Sequence, residues 1–276
     1  MYSVKGVITI GVSSQKGGVG KTTVSINLAY AFARSGRKVL VIDADPQGSV
    51  GLSLTRKTRK LKGFFDYLSD AGASFESVIV PTRMETLSLV PAGQGSEYDM
   101  SYGYDEGSLS GAGAGVKSFL TDAEEAGYDV CIIDTAAGLF GITKDILVEV
   151  DAVLVPQQSE PLGIRSMPKM LEALKKVRLL NPRLHILGVL LTMVQRNLRE
   201  SVEAGEGLRS VLPDNLVMTT EVPRDDIFIK ASARGLPVGV LKGGAEVLEE
   251  FNALRREIEL KLVNSQQRNK ATKQGN

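Results

Sequence analysis

The sequence predicts an α/β protein, a doubly wound and mostly parallel sheet flanked by helices. Short β-branched runs alternate with longer helical patterns along the chain, the rhythm of strand–helix–strand units. Several of the short runs are apolar at consecutive positions, as strands buried on both faces require. The first run leads straight into a glycine-rich loop and then a helical pattern.

Strands are expected at 7–13, 38–43, 87–90, 130–134, 152–156 and 186–193. Helices are expected at 21–35, 115–126, 142–150, 164–180, 198–212 and 245–263. Gly36 falls just past the first helix, where a left-handed backbone suits glycine. Residues 93–115 are rich in Gly, Ser, Tyr and acids and can bury little apolar surface, so a long, mobile surface loop is expected. Residues 264–276 are polar and mildly basic, a tail expected to fray. Positions 1–263 therefore read as a single domain, with no internal repeat and no dividing linker.

The bulk properties narrow the classes. The chain has 276 residues, 43% hydrophobic and 24% charged, ordinary for a soluble globular protein. Its net charge of +1 does not announce a nucleic-acid binder, although a local patch can still attract phosphate. One cysteine, Cys131, and one histidine, His185, exclude an internal disulfide and a Cys/His metal cluster. A reducing, cytoplasmic compartment is the simpler expectation. The apolar start of the chain is short and runs into the glycine loop, which reads as a buried strand and not a leader.

The strongest chemical signal is QKGGVGKTT at 15–23, between the first strand and the first helix. Glycines let successive backbone N–H groups turn inward toward phosphate oxygens, and a helix start adds its positive dipole end. Gly17, Gly18, Val19, Gly20, Lys21, Thr22 and Thr23 form this expected phosphate cradle. Lys21 is placed to reach the β- and γ-phosphates of ATP, or the β-phosphate of ADP, and the Thr22 hydroxyl to ligate Mg²⁺, a hard cation that prefers oxygen. Two further runs end in acids: VLVIDADPQ carries Asp43 and Asp45, and VCIIDTAAG carries Asp134. Carboxylates at the carboxyl ends of parallel strands lie where open α/β sheets bind ligands.

The strict phosphate-loop pattern has glycine where this chain has Gln15, and a second lysine, Lys16, precedes the paired glycines. The chain thereby resembles the ParA/MinD family of deviant Walker A ATPases, over about residues 4 to 262. The resemblance implies that Asp43 and Asp134 hold Mg²⁺ through its waters and that Asp45 positions the attacking water. It implies that Lys16 crosses the interface of an ATP-bound homodimer to reach the partner's nucleotide. GVLLTM at 188–193 and EVPRDDIFIKASARGLPV at 221–238 resemble the family's adenine region and imply contacts from Met193, Pro223 and Arg224. Where relatives carry prolines after the third motif's Asp, this chain has Ala136 and Ala137, which leaves the stiffness of that loop open.

In DNA-associated relatives, an arginine after the strand that ends near Met193 contributes to the DNA surface. Arg196 or Arg199 takes that place here, and with Arg224, Lys230, Arg234 and Lys242 they form a candidate basic strip. The implied function is a ParA-like partition or positioning ATPase. It dimerises with ATP, binds nucleoid DNA without sequence preference, and is reset by slow hydrolysis that a ParB-like or cargo-adaptor partner stimulates. The alternative is a MinD-like or flagellum-number ATPase at a membrane surface, which needs an amphipathic C-terminal helix. Phe251, Leu254, Ile258 and Leu262 recur at helical spacing but read as core packing, so a membrane partner is not expected. Because the first strand starts close to Met1, no preceding DNA-reading domain is expected.

Overall fold

Strands apolar on both faces need a cover on each, and the chain supplies two. The computed structural model describes residues 6–48, 50, 61–69, 73–94 and 109–274. Among them, seven strands form one sheet: β1 (Ile8–Ser14), β2 (Val39–Ala44), β3 (Val80–Pro81), β4 (Leu87–Val90), β5 (Val130–Ala137), β6 (Ala152–Gln158) and β7 (His185–Thr192). The order is β3-β4-β2-β5-β1-β6-β7, parallel throughout except for the β3–β4 pair. β1 and β2 are buried at every residue, which explains their unbroken apolar runs.

The helices are α1 (Lys21–Arg34), α2 (Phe64–Leu68), α3 (Phe75–Val78), α4 (Gly113–Glu125), α5 (Gly141–Glu149), α6 (Pro161–Leu180), α7 (Arg199–Val211), α8 (Ile227–Arg234) and α9 (Ala245–Gln274). One face of the sheet is covered by α1, α8 and α9, whose Val24, Leu28, Phe32, Phe251, Leu254 and Ile258 are fully buried. The stripe Phe251–Leu254–Ile258–Leu262 lies inside this core, with α9 packed along α1. On the other face, Phe119 of α4 packs against Phe64 and Phe75, with ring centroids 5.2 and 5.1 Å away. Cys131 is fully buried in β5, and that burial pushes its thiol pKa up.

All six expected strands and all six expected helices are present, with ends shifted by a few residues except at the last helix, which runs eleven residues further. Three differences have physical reasons. The helix expected from 115 begins at Gly113, so the last residues of the expected 93–115 loop are helical; residues 95–108 of that loop lie outside the described residues. The helix expected to end at 263 continues through the polar segment to Gln274, and residues 275–276 lie outside the described residues. Residues 264–274 contain no glycine or proline and include Gln, Arg, Lys and Ala, all good helix formers that extend a helix already anchored by its buried stripe. The short α2 and α3 were not expected, since one turn is too little to display a period.

Candidate functional site

β1 hands the chain to α1 through residues 15–20, at the carboxyl end of the sheet. Gly18 and Gly20 adopt φ of 74° and 89°, the left-handed region in which an L side chain is strained. A Cβ at Gly17 or Gly18 would meet nothing within 4 Å, so the loop faces open space. No side chain caps α1, and its first turn holds no acid. Its leading amides and the positive end of its dipole are therefore left for an external anion.

The Val19 carbonyl accepts a 2.8 Å hydrogen bond from Thr192 Oγ1, which ties the loop to the end of β7. Lys21 is buried and its ammonium turns back into the loop, donating to the Lys16 carbonyl at 3.4 Å. Burial lowers its pKa, with the charges of Asp134 and Asp45 acting in opposition. Lys16 has a different setting: its Nζ is 4.0 Å from Glu160 Oε1 and its side chain is about a third exposed. One ammonium is thus bonded to the loop's own backbone and the other lies beside the Glu160 carboxylate.

Asp43 and Asp134 are partners in register on the adjacent strands β2 and β5, both fully buried. Thr22 Oγ1 donates to Asp134 Oδ2 at 2.7 Å, and Ser25 Oγ lies 2.9 Å from Asp134 Oδ1 and 3.0 Å from the Lys21 carbonyl. Burial raises the Asp134 pKa to about 6, while the Thr22 and Ser25 hydrogen bonds and Lys21 pull it down. Asp45 is half-buried; its Oδ1 accepts from Gln47 N at 2.9 Å within a tight turn, and its own N–H reaches Asp43 Oδ1 at 3.4 Å. Its charge is felt at both Lys21 and Asp134.

Among the described residues, no three His, Cys, Asp or Glu side chains converge into a ready metal cage. The donor set at the loop is all oxygen, from the Thr22 hydroxyl and two carboxylates. That suits Mg²⁺, which keeps several waters and takes further ligands from phosphate. The buried carboxylate of Asp134, whose charge is costly there, would gain from a nearby cation.

Met193, Pro223 and Arg224 come together with Gly20, Thr23 and Phe228 around a cleft of about 210 Å³ beside the loop. Met193 has φ of 53°, and is the non-glycine residue with positive φ among those described. Val194 N donates to Val222 O at 3.1 Å and Arg224 N to Val194 O at 3.0 Å, so the two segments clamp each other at the cleft. Beyond Asp134, β5 continues to Ala137, which pairs with Ser14 of β1, and Gly138 N donates to Ser14 O at 3.0 Å. Alanine keeps the N–H that proline would lack, and this segment is held as sheet.

The candidate basic strip is less uniform than its sequence suggests. Arg199 Nε is 2.6 Å from Glu203 Oε1 and Arg196 Nη2 is 4.0 Å from Glu221 Oε2. Lys230 and Arg234 are exposed one turn apart on α8, and Arg224 is exposed at the cleft. Sequence reasoning missed Ser25, Thr192 and Phe228. Ser25 had a signal, since it lies one helical turn after Lys21; the other two are brought in by chain segments distant in sequence.

A family model described as an AAA domain matches residues 7–186. The chromosome partitioning protein ParA of Caulobacter vibrioides is 34% identical over 240 residues, 83% of this chain and 85% of that protein. The chain belongs to the ParA/MinD family of deviant Walker A ATPases. Two solved structures extend the likeness. The cell division ATPase MinD of Pyrococcus furiosus shares 25% identity at a TM-score of 0.72, covering 91% of this chain and 98% of that one. Cobyrinic acid a,c-diamide synthase from Mycobacterium smegmatis, solved with a bound ATP analog and magnesium, shares 26% identity at a TM-score of 0.72 over 92% and 96% of the two chains.

Proposed function

We propose that this chain is a ParA-like ATPase that binds MgATP at the 15–23 loop and converts ATP and water to ADP and phosphate. The loop amides and Lys21 hold the triphosphate, with Met193, Pro223 and Arg224 around the base. Thr22, Asp43 and Asp134 hold Mg²⁺, directly or through its waters; the ion supplies charge neutralisation at the phosphates. Asp45 orients the attacking water. The observation that carries this reading is the different setting of the two lysines: Lys21 is buried at an open glycine loop and bonded to its backbone, whereas Lys16 is partly exposed with its ammonium 4.0 Å from Glu160. The buried ammonium serves the chain's own nucleotide, and Lys16 exchanges its Glu160 contact for a second copy's nucleotide in an ATP-bound homodimer.

In this reading the dimer binds DNA through backbone phosphates, using Arg224, Lys230 and Arg234 with Arg196 and Arg199 at the margin. A ParB-like or cargo-adaptor protein then triggers slow hydrolysis and release, which places the protein on the nucleoid. The burial of Phe251, Leu254, Ile258 and Leu262 favours DNA over the membrane-surface alternative, since that stripe is already occupied. No helix among the described residues is long and apolar enough to cross a membrane.

The test is co-sedimentation with DNA in ATP, in ADP and without nucleotide, for the parent chain, Asp45→Ala and Lys21→Ala. DNA binding is expected with ATP, prolonged in Asp45→Ala, absent in Lys21→Ala, and falling steeply with salt as counterions are released. Binding indifferent to nucleotide in all three would count against the switch.

A further inference from the structure

A second cavity lies at the amino end of β7, the far end of the sheet from the glycine loop. It has a volume of about 300 Å³, and its walls include Arg178, Arg183, His185, Lys261, Asn215 and Ser265. Seven residue steps of β7 separate His185 from Thr192, roughly 23 Å at about 3.3 Å each. The basic side chains come from separate segments: Arg178 from the last turn of α6, Arg183 from the α6–β7 link, His185 from the start of β7, and Lys261 from α9.

Among the described residues, no aspartate or glutamate lines the cavity. Among the described residues, neither Arg178 nor Arg183 is in an ion pair. Lys261 Nζ donates to the Asn215 carbonyl at 2.8 Å, which uses one of its three N–H groups. Its half-burial lowers its pKa, opposed by the charge of Glu257. Glu257 is itself engaged, accepting from Thr219 N at 2.7 Å, Thr220 N at 3.0 Å and Thr220 Oγ1 at 2.9 Å. Like charges gathered in one recess repel one another and gain together from a shared anion.

We infer that this cavity is a binding site for a small phosphorylated anion, separate from the nucleotide loop. Two guanidinium forks suit phosphate, which accepts hydrogen bonds in parallel pairs, and Lys261 adds a point charge. Asn215 and Ser265 bring uncharged hydrogen-bonding groups to the same walls. The recess is at the lower end of small-ligand pockets in size, which favours a phosphate monoester or inorganic phosphate over the convex backbone of a duplex.

The experiment is calorimetric titration of the full chain with inorganic phosphate at constant ionic strength, in the Lys21→Ala background, so that the glycine loop does not contribute. Phosphate binding is expected to persist there and to weaken at least about ten-fold on adding Arg178→Ala and Arg183→Ala. Both arginines are exposed, and melting curves check that the variant remains folded. Loss of phosphate binding in Lys21→Ala alone, or affinity unchanged by the two arginine substitutions, overturns the inference. So does an effect of those substitutions on co-sedimentation with a DNA duplex but not on phosphate.

Discussion

Thr22 Oγ1 donates a 2.7 Å hydrogen bond to Asp134 Oδ2, joining the first turn of α1 to the middle of β5. Ser25 engages the other oxygen of the same fully buried carboxylate. Asp134 retains its proton up to about 6 in the folded chain, against 3.8 ordinarily. Between those values the folded state binds more protons than the unfolded one, so this group's contribution to stability falls as pH rises through the window. Asp134→Asn should therefore stabilise the nucleotide-free chain at pH 7.5, where the buried carboxylate is charged, less what is lost when one of the two hydroxyl donors meets the amide NH₂ in place of an acceptor. The gain should shrink toward zero as the pH approaches 4. Melting curves at the two pH values check this; an equal gain at both would contradict it.

Lys16 and Lys21 should separate binding from turnover. Lys16→Ala is expected to change MgATP affinity of the isolated chain less than about three-fold and to lower hydrolysis at least about ten-fold. Calorimetry and phosphate release measure the two effects. A parallel loss of both would place Lys16 in its own chain's nucleotide site.

Gly20 adopts φ of 89°, and a Cβ there would have only the Met193 methyl nearby, at 3.8 Å. Space is available, so Gly20→Ala tests backbone strain alone. A loss of about 1–2 kcal/mol is expected in urea unfolding. Neutral stability would mean that the loop relaxes out of its left-handed turn.

Phe251 is fully buried between α9 and the sheet, whereas Leu260 on the same helix is 61% exposed. Phe251→Ala should cost about 3–5 kcal/mol and Leu260→Ala less than about 0.5 kcal/mol. Chemical denaturation of the two variants distinguishes a packed stripe from a free amphipathic face.

The parts of the fold that were legible in the sequence are those with a local cause. VLVIDA and VCIID are apolar at successive positions because both faces of the sheet are covered, and KGGVGKTT carries glycines where the backbone turns left-handed. Asp43 and Asp134 could be placed because each closes an apolar run in its own segment, although β5 continues three residues past Asp134 to Ala137. Less legible were features made by distant segments meeting. Nothing near Val19 shows that Thr192 will hold its carbonyl, and nothing near Arg196 shows that Glu221 will sit beside it. The helical continuation of α9 was missed for a different reason: a polar run has no buried face to display a period, yet an anchored helix extends through it.

The enclosed position of Cys131 has a practical consequence. The chain's single thiol, held neutral in the middle strand run, should be silent to alkylating reagents while the protein is folded. A cysteine introduced on an exposed helix could then carry a dye or spin label at one defined point, with no background to remove first. Reaction at the native sulfur would serve as a clock for global opening.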